Sequence, residues 1–188
     1  MTPEGSKRAD AQRNRARILE AAEAVFTEGG ATASTEEVAR RAGVAVGTVF
    51  RHFPTKNDLV QAITEQRVAR LLEQLEALDQ APGRGTALRT FFARMIEQAA
   101  HKNRVADLLD HDGVDVSLPD AVRRLEHAVG RLLRHAQQAG TVDGQVRLTE
   151  VMALLTSLCQ GALAGGWTRD QQERVLTIVF AGMRGPAS

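Results

Sequence analysis

Apolar residues recur every three or four positions along most of this chain of 188 residues, which is the spacing of one buried face on an α-helix. No stretch shows the strict alternation of apolar and polar residues that is typical of a strand. The sequence therefore predicts an all-α protein. Nine helices are predicted, over about residues 10–28, 34–42, 46–53, 56–79, 86–100, 104–109, 120–139, 149–164 and 170–183.

The second and third predicted helices are short, and a single glycine, Gly43, separates them. Glycine accepts the left-handed backbone conformation that ends a helix in a sharp turn. Ser34 or Thr35 can cap the second helix, and Glu37 stands three residues after Ser34, as in a capping box. Pro54 ends the third helix. This layout indicates a helix-turn-helix, in which the second helix of the pair enters the major groove of DNA.

Basic residues are concentrated near the start of the chain. The net charge is only +1, which by itself does not indicate a nucleic-acid partner. Residues 1–17 nevertheless carry five basic and two acidic side chains. A basic arm beside a helix-turn-helix commonly contacts phosphate, and a solubilising tail is the alternative. Residues 1–9 are polar, contain Pro3 and Gly5, and are predicted to be disordered.

Cysteine content and hydropathy indicate the compartment. Cys159 is the single cysteine, so no intramolecular disulfide can form, and a reducing compartment fits. Its apolar neighbours predict an inert buried thiol rather than a redox sensor. The most apolar stretch, residues 151–167, is shorter than the roughly 20 residues of a membrane span, and no signal peptide is recognised. We expect a soluble, cytoplasmic protein.

The sequence offers no set of residues with the spacing of an active site. It has no nucleophile elbow, phosphate-binding glycine loop or meaningful carboxylate pair, so we expect neither an enzyme nor a cofactor. Histidines and aspartates cluster between His101 and Asp115, but Gly113 follows Asp110 too soon for a calcium-binding loop. We expect a solvated loop there and no metal site.

The run from Gly43 to Lys56 reads Gly-Val-Ala-Val-Gly-Thr-Val-Phe-Arg-His-Phe-Pro-Thr-Lys. It resembles the signature of the TetR family of transcriptional regulators, typically Gly-Val-Ser-x-Gly-Thr-Leu-Tyr-x-x-Phe-x-x-Lys. The resemblance implies a homodimer. Each subunit would have a DNA-binding domain, residues 10–55 here, and an effector-binding and dimerisation domain, residues 56–188. The predicted helix at 56–79 would link the two domains.

The resemblance also places residues at a DNA interface. Seven residues match family positions that contact DNA: Thr35, Val46, Gly47, Thr48, Phe50, His52 and Lys56. Residues at the front of the third helix face base edges, whereas Thr35, His52 and Lys56 reach phosphate. Phe50 replaces the usual tyrosine and loses its hydroxyl, although the ring can still contact sugar or a thymine methyl group. Arg51 is then the strongest candidate for a polar contact, either with guanine or with phosphate.

The second domain supplies two further sets of candidates. Six apolar residues are either plain core or the lining of an effector pocket: Phe91, Phe92, Met95, Leu125, Val129 and Leu155. Such a lining would suit a largely apolar small molecule. Six residues of the last two helices and their connection are candidates for the dimer interface: Leu158, Gly161, Gly165, Trp167, Val179 and Phe180.

These observations predict a sequence-specific DNA-binding regulator. The most direct interpretation is a repressor that binds a pseudo-palindromic operator as a homodimer and is released by its ligand. The alternative is a helical ligand-binding or scaffold protein that does not bind DNA.

Overall fold

A computed structural model describes the chain apart from residues 1–2, 30–32, 101–118 and 186–188, and apart from the side chains of residues 3–8, 119 and 121. The described residues form eight α-helices and no strand, so the predicted all-α fold is confirmed. The helices are α1 (Pro3–Gly29), α2 (Thr35–Ala42), α3 (Val46–His52), α4 (Lys56–Gln80), α5 (Ala87–Ala100), α6 (Pro119–Gln138), α7 (Leu148–Gly165) and α8 (Arg169–Met183). A 3-10 turn, Arg84–Thr86, precedes α5. The helix predicted at 104–109 lies outside the described residues.

The first helix begins earlier than the sequence predicts. It starts at Pro3 rather than near Asp10, so the prediction of a disordered arm is wrong for residues 3–9. Proline suits the first helical position, because its fixed φ is helical and its missing N–H would have no partner there. The residues that follow are mostly polar, which is typical of disorder, but lysine, arginine and alanine are also good helix formers.

Contacts divide the chain into two units, and the division falls within α4. The first unit ends at Arg67 and the second begins at Val68. The predicted boundary before residue 56 assigns all of α4 to the second domain, whereas the first part of this helix packs within the first unit. The functional division into DNA-binding and effector-binding domains stays a prediction.

The core of the first unit joins α1, α2, α3 and the start of α4. Phe26 of α1 and Val49 of α3 are fully buried in it. The apolar stripe predicted for the first helix forms its largest share: Ile18, Leu19, Ala22, Val25 and Phe26. The half-buried Val44, between α2 and α3, packs against this core, as expected for the apolar residue of the turn.

The core of the second unit joins the end of α4 with α5, α6, α7 and α8. Phe92 of α5 and Phe180 of α8 meet edge to face, with ring centroids 5.4 Å apart. At the end of α4, the Asp79 carboxylate accepts a 2.9 Å hydrogen bond from Arg131 Nε and lies 3.1 Å from His135 Nδ1, both on α6. These polar contacts fasten the last turn of α4 to α6.

Candidate nucleic-acid interface

The start of α2 is fixed by a side-chain cap. Ser34, in extended conformation, accepts a 3.2 Å hydrogen bond from the Glu37 N–H to its Oγ. Ser34 is therefore the cap, and Thr35 is the first residue of the helix and is half-buried. The Glu37 carboxylate pairs with the guanidinium of Arg40, one turn further along. This capping holds Thr35 at the helix N-terminus, where N–H groups favour anions.

The turn between α2 and α3 depends on Gly43, as predicted. Its φ of +64° and ψ of +41° lie in the left-handed region. The Gly43 N–H donates to the Arg40 carbonyl at 3.2 Å, and the Val44 N–H donates to the Ala39 carbonyl at 3.0 Å. This pair of bonds is the Schellman motif, which satisfies the last carbonyls of α2 and redirects the chain into α3.

Arg17 of α1 also holds this turn. Its guanidinium donates to the carbonyl oxygen of Ala42 and, at 3.1 Å, to that of Gly43. A Cβ atom added to Gly43 would lie 2.9 Å from the Arg17 guanidinium, so a larger residue would have to displace this side chain in addition to adopting the left-handed conformation. The sequence placed Arg17 in a phosphate-contacting arm. The structure places it against the end of α2 and the turn.

A second arginine of α1 lies against the end of α3. The Arg15 guanidinium carbon is 5.2 Å from the centroid of the Phe53 ring, which is within cation–π range. Phe53 follows α3 directly, and its N–H closes the helix on the Val49 carbonyl at 2.8 Å. Arg13, which precedes these two arginines in sequence, pairs with Asp10 on the surface of α1. The described basic residues of α1 therefore contact their own chain.

The exposed face of α3 carries most of the predicted reading residues. Val49 and Phe53 are only 0% and 3% exposed, and they anchor the helix. Two apolar side chains remain open, Val46 at 36% and Phe50 at 43% exposure. Gly47 and Arg51 are also exposed, and Thr48 is half-buried. The predicted DNA-contacting residues of α3 are therefore accessible to solvent on one side of this short helix, apart from the half-buried Thr48.

Arg51 differs from the neighbouring arginines. Arg40 is paired with Glu37, and Arg41 donates two hydrogen bonds, at 2.6 and 2.8 Å, to Glu28. Arg51 makes no hydrogen bond or ion pair within the described part of the chain. Its guanidinium can therefore bind an external acceptor without losing an internal partner.

Two predicted phosphate contacts, His52 and Lys56, lie where α3 ends and α4 begins. His52 is half-buried, and its Nε2 is buried without a hydrogen bond among the described residues. A phosphate contact from this ring would therefore use Nδ1 or follow a rotation. The Lys56 ammonium lies 5.7 Å from the centroid of the Phe26 ring.

Thr55 caps α4, and this cap fixes Lys56 in the first turn of the helix. The Thr55 Oγ1 accepts a hydrogen bond from the Asp58 N–H at 3.1 Å, and the Thr55 N–H donates to the Asp58 carboxylate at 2.9 Å. Lys56 is the first residue after the cap.

The candidates for an effector pocket lie in or against the core of the second unit. Four are buried: Phe91, Phe92, Val129 and Leu155. Met95 and Leu125 are half-buried and pack against them. A cavity of about 270 Å³ in this unit has none of the six in its lining. Their assignment to a pocket stays a prediction.

The candidates for a dimer interface have mixed environments. Ideal Cβ atoms on Gly161 and Gly165 would lie 2.9 and 2.7 Å from the indole of Trp167, so that ring fills the space that the two glycines leave. Phe180 is buried against Phe92. Leu158 and Val179 are half-buried. Among the residues whose side chains are described, the most exposed large apolar one is Ile178 on α8, at 71%, and it is not among the predicted interface residues.

Cys159 is less buried than the sequence predicts. It is half-buried in α7, and burial raises the pKa of its thiol to about 11. Since the thiolate is the reactive form, this supports the interpretation as an inert thiol. Among the described residues no group of histidine, cysteine, aspartate or glutamate side chains could hold a metal ion, and the stretch from His101 to Asp115 lies outside them.

A three-helix unit with a capped α2, a glycine turn and an exposed α3 defines a helix-turn-helix protein. Residues 18–63 match the family described as bacterial regulatory proteins, tetR family. Residues 82–185, more than half of the chain, match the C-terminal domain of SbtR-like transcriptional regulators. The chain therefore belongs to the TetR family of transcriptional regulators.

Individual relatives agree with this assignment. The crystal structure of a TetR transcription regulatory protein from Mycobacterium vanbaalenii is 40% identical, with a TM-score of 0.76, and the match covers 95% of this chain and 99% of that one. A TetR transcriptional regulator from Streptomyces coelicolor is 35% identical, with a TM-score of 0.70 and coverage of 92% and 99%. The HTH-type transcriptional regulator SrpR from Pseudomonas putida is 28% identical over 185 residues, covering 92% of this chain and 84% of the relative.

Proposed function

We propose that this chain is a cytoplasmic repressor that binds a pseudo-palindromic DNA operator as a homodimer and releases it when a small molecule binds the second unit. The observation that carries DNA binding is the open face of α3. Its Val46, Gly47, Phe50 and Arg51 are exposed, while Val49 anchors the helix. A helix that is fixed on one side and open on the other can enter a major groove without refolding.

The contacts divide into two classes. Val46, Gly47 and Thr48 at the front of α3 would meet base edges, with Phe50 against sugar or a thymine methyl group. Thr35, His52 and Lys56 would hold phosphate and set the register of the helix on the duplex. Arg51 is free to bind guanine bidentately or to bind phosphate.

Dimer formation is supported by apolar side chains of α7 and α8 that their own chain covers only in part. Only 17% of the mainly apolar helix α7 is buried; Met152, Leu154 and Leu158 are half-buried, and its exposed residues are small or polar. On α8, Ile178 is exposed and Val175 and Val179 are half-buried. A second copy related by two-fold symmetry would cover both surfaces at once. The predicted interface residues Leu158 and Val179 lie on these surfaces. Gly161 and Gly165 are covered by the Trp167 indole, so they would affect the interface only by positioning that ring.

A membrane is the other environment that could cover α7, since its length and composition would allow it to span one. However, Val151, Leu155 and Ala162 of α7 are built into the core of the second unit. The named relatives are transcriptional regulators. Both observations favour a protein partner and a cytoplasmic location.

Release would follow from a ligand that prefers one spacing of the two DNA-binding units. Such a coupling typically amounts to about 1–3 kcal/mol, or a change in DNA affinity of roughly 5- to 150-fold. A largely apolar effector could bind beside Phe91 and Phe92 only if the side chains packed around them moved apart to form a pocket.

A gel-shift titration with the DNA upstream of this chain's own gene tests the proposal. We expect saturable binding whose affinity falls steeply with salt, because Lys and Arg contacts displace counterions from phosphate. A helical scaffold that does not bind DNA is the second candidate, favoured by the missing tyrosine hydroxyl at Phe50 and the small net charge. Absence of salt-dependent binding to any duplex would establish that candidate and reject the repressor.

A further inference from the structure

The cavity in the second unit is built from three parts of the chain. Its volume is about 270 Å³, which suits a small metabolite. One wall is the 3-10 turn and the first turn of α5, a second is Thr141 just after α6, and the third is one face of α8. Thr177 and Ala181 of α8 and Arg184, the residue directly after this helix, are four and three residues apart and share that face. Phe180 adds an apolar contact surface.

The charges around this cavity are positive. Its lining contains two arginines, Arg89 and Arg184, and no acidic residue. The Arg89 guanidinium is half-buried and bonded to Glu173, which offsets its charge. Arg184 makes no hydrogen bond or ion pair with its side chain within the described residues, so its charge is uncompensated. A cavity with this lining favours an anionic ligand, and a carboxylate matches the guanidinium geometry.

The hydroxyl groups of the cavity add a second requirement. Thr141 Oγ1 donates to the Gly85 carbonyl at 2.6 Å, and Thr177 Oγ1 donates to the Glu173 carbonyl at 2.9 Å. A hydroxyl has one hydrogen, so these oxygens can only accept a further hydrogen bond. Thr177 Oγ1 already accepts a 3.4 Å hydrogen bond from the Arg89 guanidinium, so Thr141 Oγ1 is the oxygen left for a ligand. A ligand that bonds to Thr141 needs an O–H or N–H donor in addition to its negative charge.

The cavity also adjoins the segment that follows α4. Gly85 belongs to the 3-10 turn after α4 and is held by the Thr141 hydroxyl. A Cβ atom on Gly85 would lie 2.5 Å from the Cβ of Ala139, so this turn has no free space on that side. A ligand that engages Thr141 and Arg184 would act on the tightly packed turn at the end of α4.

We propose that this cavity binds a small hydroxycarboxylate, whose carboxylate pairs with Arg184 and whose hydroxyl donates to Thr141 Oγ1. Binding here controls release from DNA, and that second statement rests on the proposed function. The effector would then be polar and anionic, unlike the largely apolar molecule predicted from the sequence.

Thermal melting of the full chain tests the binding step. L-malate, citrate and succinate are compared as sodium salts with sodium chloride at equal ionic strength. At concentrations near ten times Kd, malate or citrate should raise the melting temperature by about 3–6 °C. Succinate lacks the hydroxyl and should give a smaller shift. Arg184→Ala should abolish the shift, and Ala181→Glu, which adds a carboxylate to the lining, should do the same.

Arg174→Ala is the matched control, because Arg174 is an exposed arginine of α8 outside the cavity, paired with Asp170. It should respond as the wild type does. No shift with either hydroxycarboxylate in the wild type, or an equal shift in Arg184→Ala, would overturn the site. An equal shift with succinate would overturn hydroxyl recognition.

A gel shift separates this proposal from the proposed function. The wild type should bind DNA without any of these anions and lose affinity at least fivefold when malate or citrate saturates the cavity. Loss of DNA binding in every condition would reject the repressor but leave the melting result intact. Unchanged DNA affinity at saturation would overturn the control of release.

Discussion

Val49 and Phe53 show how far residue spacing can predict this interface. Their separation of four residues predicts that both face the core, and Val49 of α3 and Phe53 directly after it are almost fully buried. The position of Arg17 could not be predicted in this way. Its partners are the carbonyl oxygens of Ala42 and Gly43, and every residue has a carbonyl, so the sequence has no signal for them.

Arg51 and Lys56 should give different losses of DNA binding. Arg51→Ala should weaken operator binding by about 1–3 kcal/mol if it reads guanine, with the loss confined to one base-pair position. Lys56→Ala should weaken binding to all duplexes alike and reduce the salt slope by about one, as expected for a phosphate contact. Fluorescence anisotropy over a salt series, with operators changed one base pair at a time, measures both.

Unchanged operator affinity in Arg51→Ala would remove this residue from the interface. A Lys56→Ala loss restricted to one base position would contradict its role at phosphate. Sedimentation of both variants should show the same oligomer as the wild type.

Arg17 should act on the turn rather than on DNA directly. Arg17→Ala removes two hydrogen bonds to carbonyl oxygens and should lower the free energy of unfolding by about 1–2 kcal/mol. Arg13→Ala, which removes a surface ion pair with Asp10 on the same helix, should change it by less than about 1 kcal/mol. Urea denaturation measures both, and equal stability of the two variants would show that Arg17 does not hold the turn.

Among the helices, the predicted ends hold best where glycine or a capping side chain marks them. Gly43 ends α2, and Thr55 begins α4, as the sequence indicates. The helix predicted from about residue 149, by contrast, begins at Leu148, and its cap position is Arg147. There the backbone N–H of Arg147 donates to the Glu150 carboxylate. Because the donor is a backbone group, most residue types could stand at this cap position. A helix end that is held by a backbone group in this way cannot be predicted from the type of residue at the cap position.

Helices α1 and α2 are joined near their C-terminal ends by Glu28 and Arg41, and this contact should depend on pH. The hydrogen bond from Arg41 lowers the pKa of Glu28 below 4.5. Because the folded-state pKa is lowered, the stabilisation is present above about pH 4.5 and is lost as pH falls through the folded value. Glu28→Gln should therefore be less stable than the wild type at pH 7 and equally stable near pH 3, as measured by urea denaturation. A difference that persists in acid would exclude this ion pair as its source.

For the whole molecule, the sequence predicts the all-α architecture but not which apolar residues remain uncovered. Apolar periodicity marks every residue that avoids water, whether its own chain or a second copy covers it. The predicted Phe180 is in the core, while Ile178, two residues away, is 71% exposed. The difference depends on how α8 is rotated against α5, which a single sequence does not specify.

The dimer should therefore depend on Ile178. Ile178→Asp places a charge in the proposed interface and should shift the chain from dimer to monomer in sedimentation velocity experiments. Val122→Asp is the matched control, because Val122 is an apolar residue of α6 with 52% exposure that lies outside the proposed interface. A dimer that survives Ile178→Asp would move the interface away from this face of α8.

Selection of bound sequences from a random duplex library by the purified full chain tests the central proposal, that two copies of α3 read DNA together. We expect enrichment of a pseudo-palindrome whose half-sites are separated by about one helical turn of DNA or a multiple of it. Thr48→Ala and Arg51→Ala should each weaken binding to the enriched sequence. Enrichment of no sequence, or of a single half-site without symmetry, would contradict the proposal.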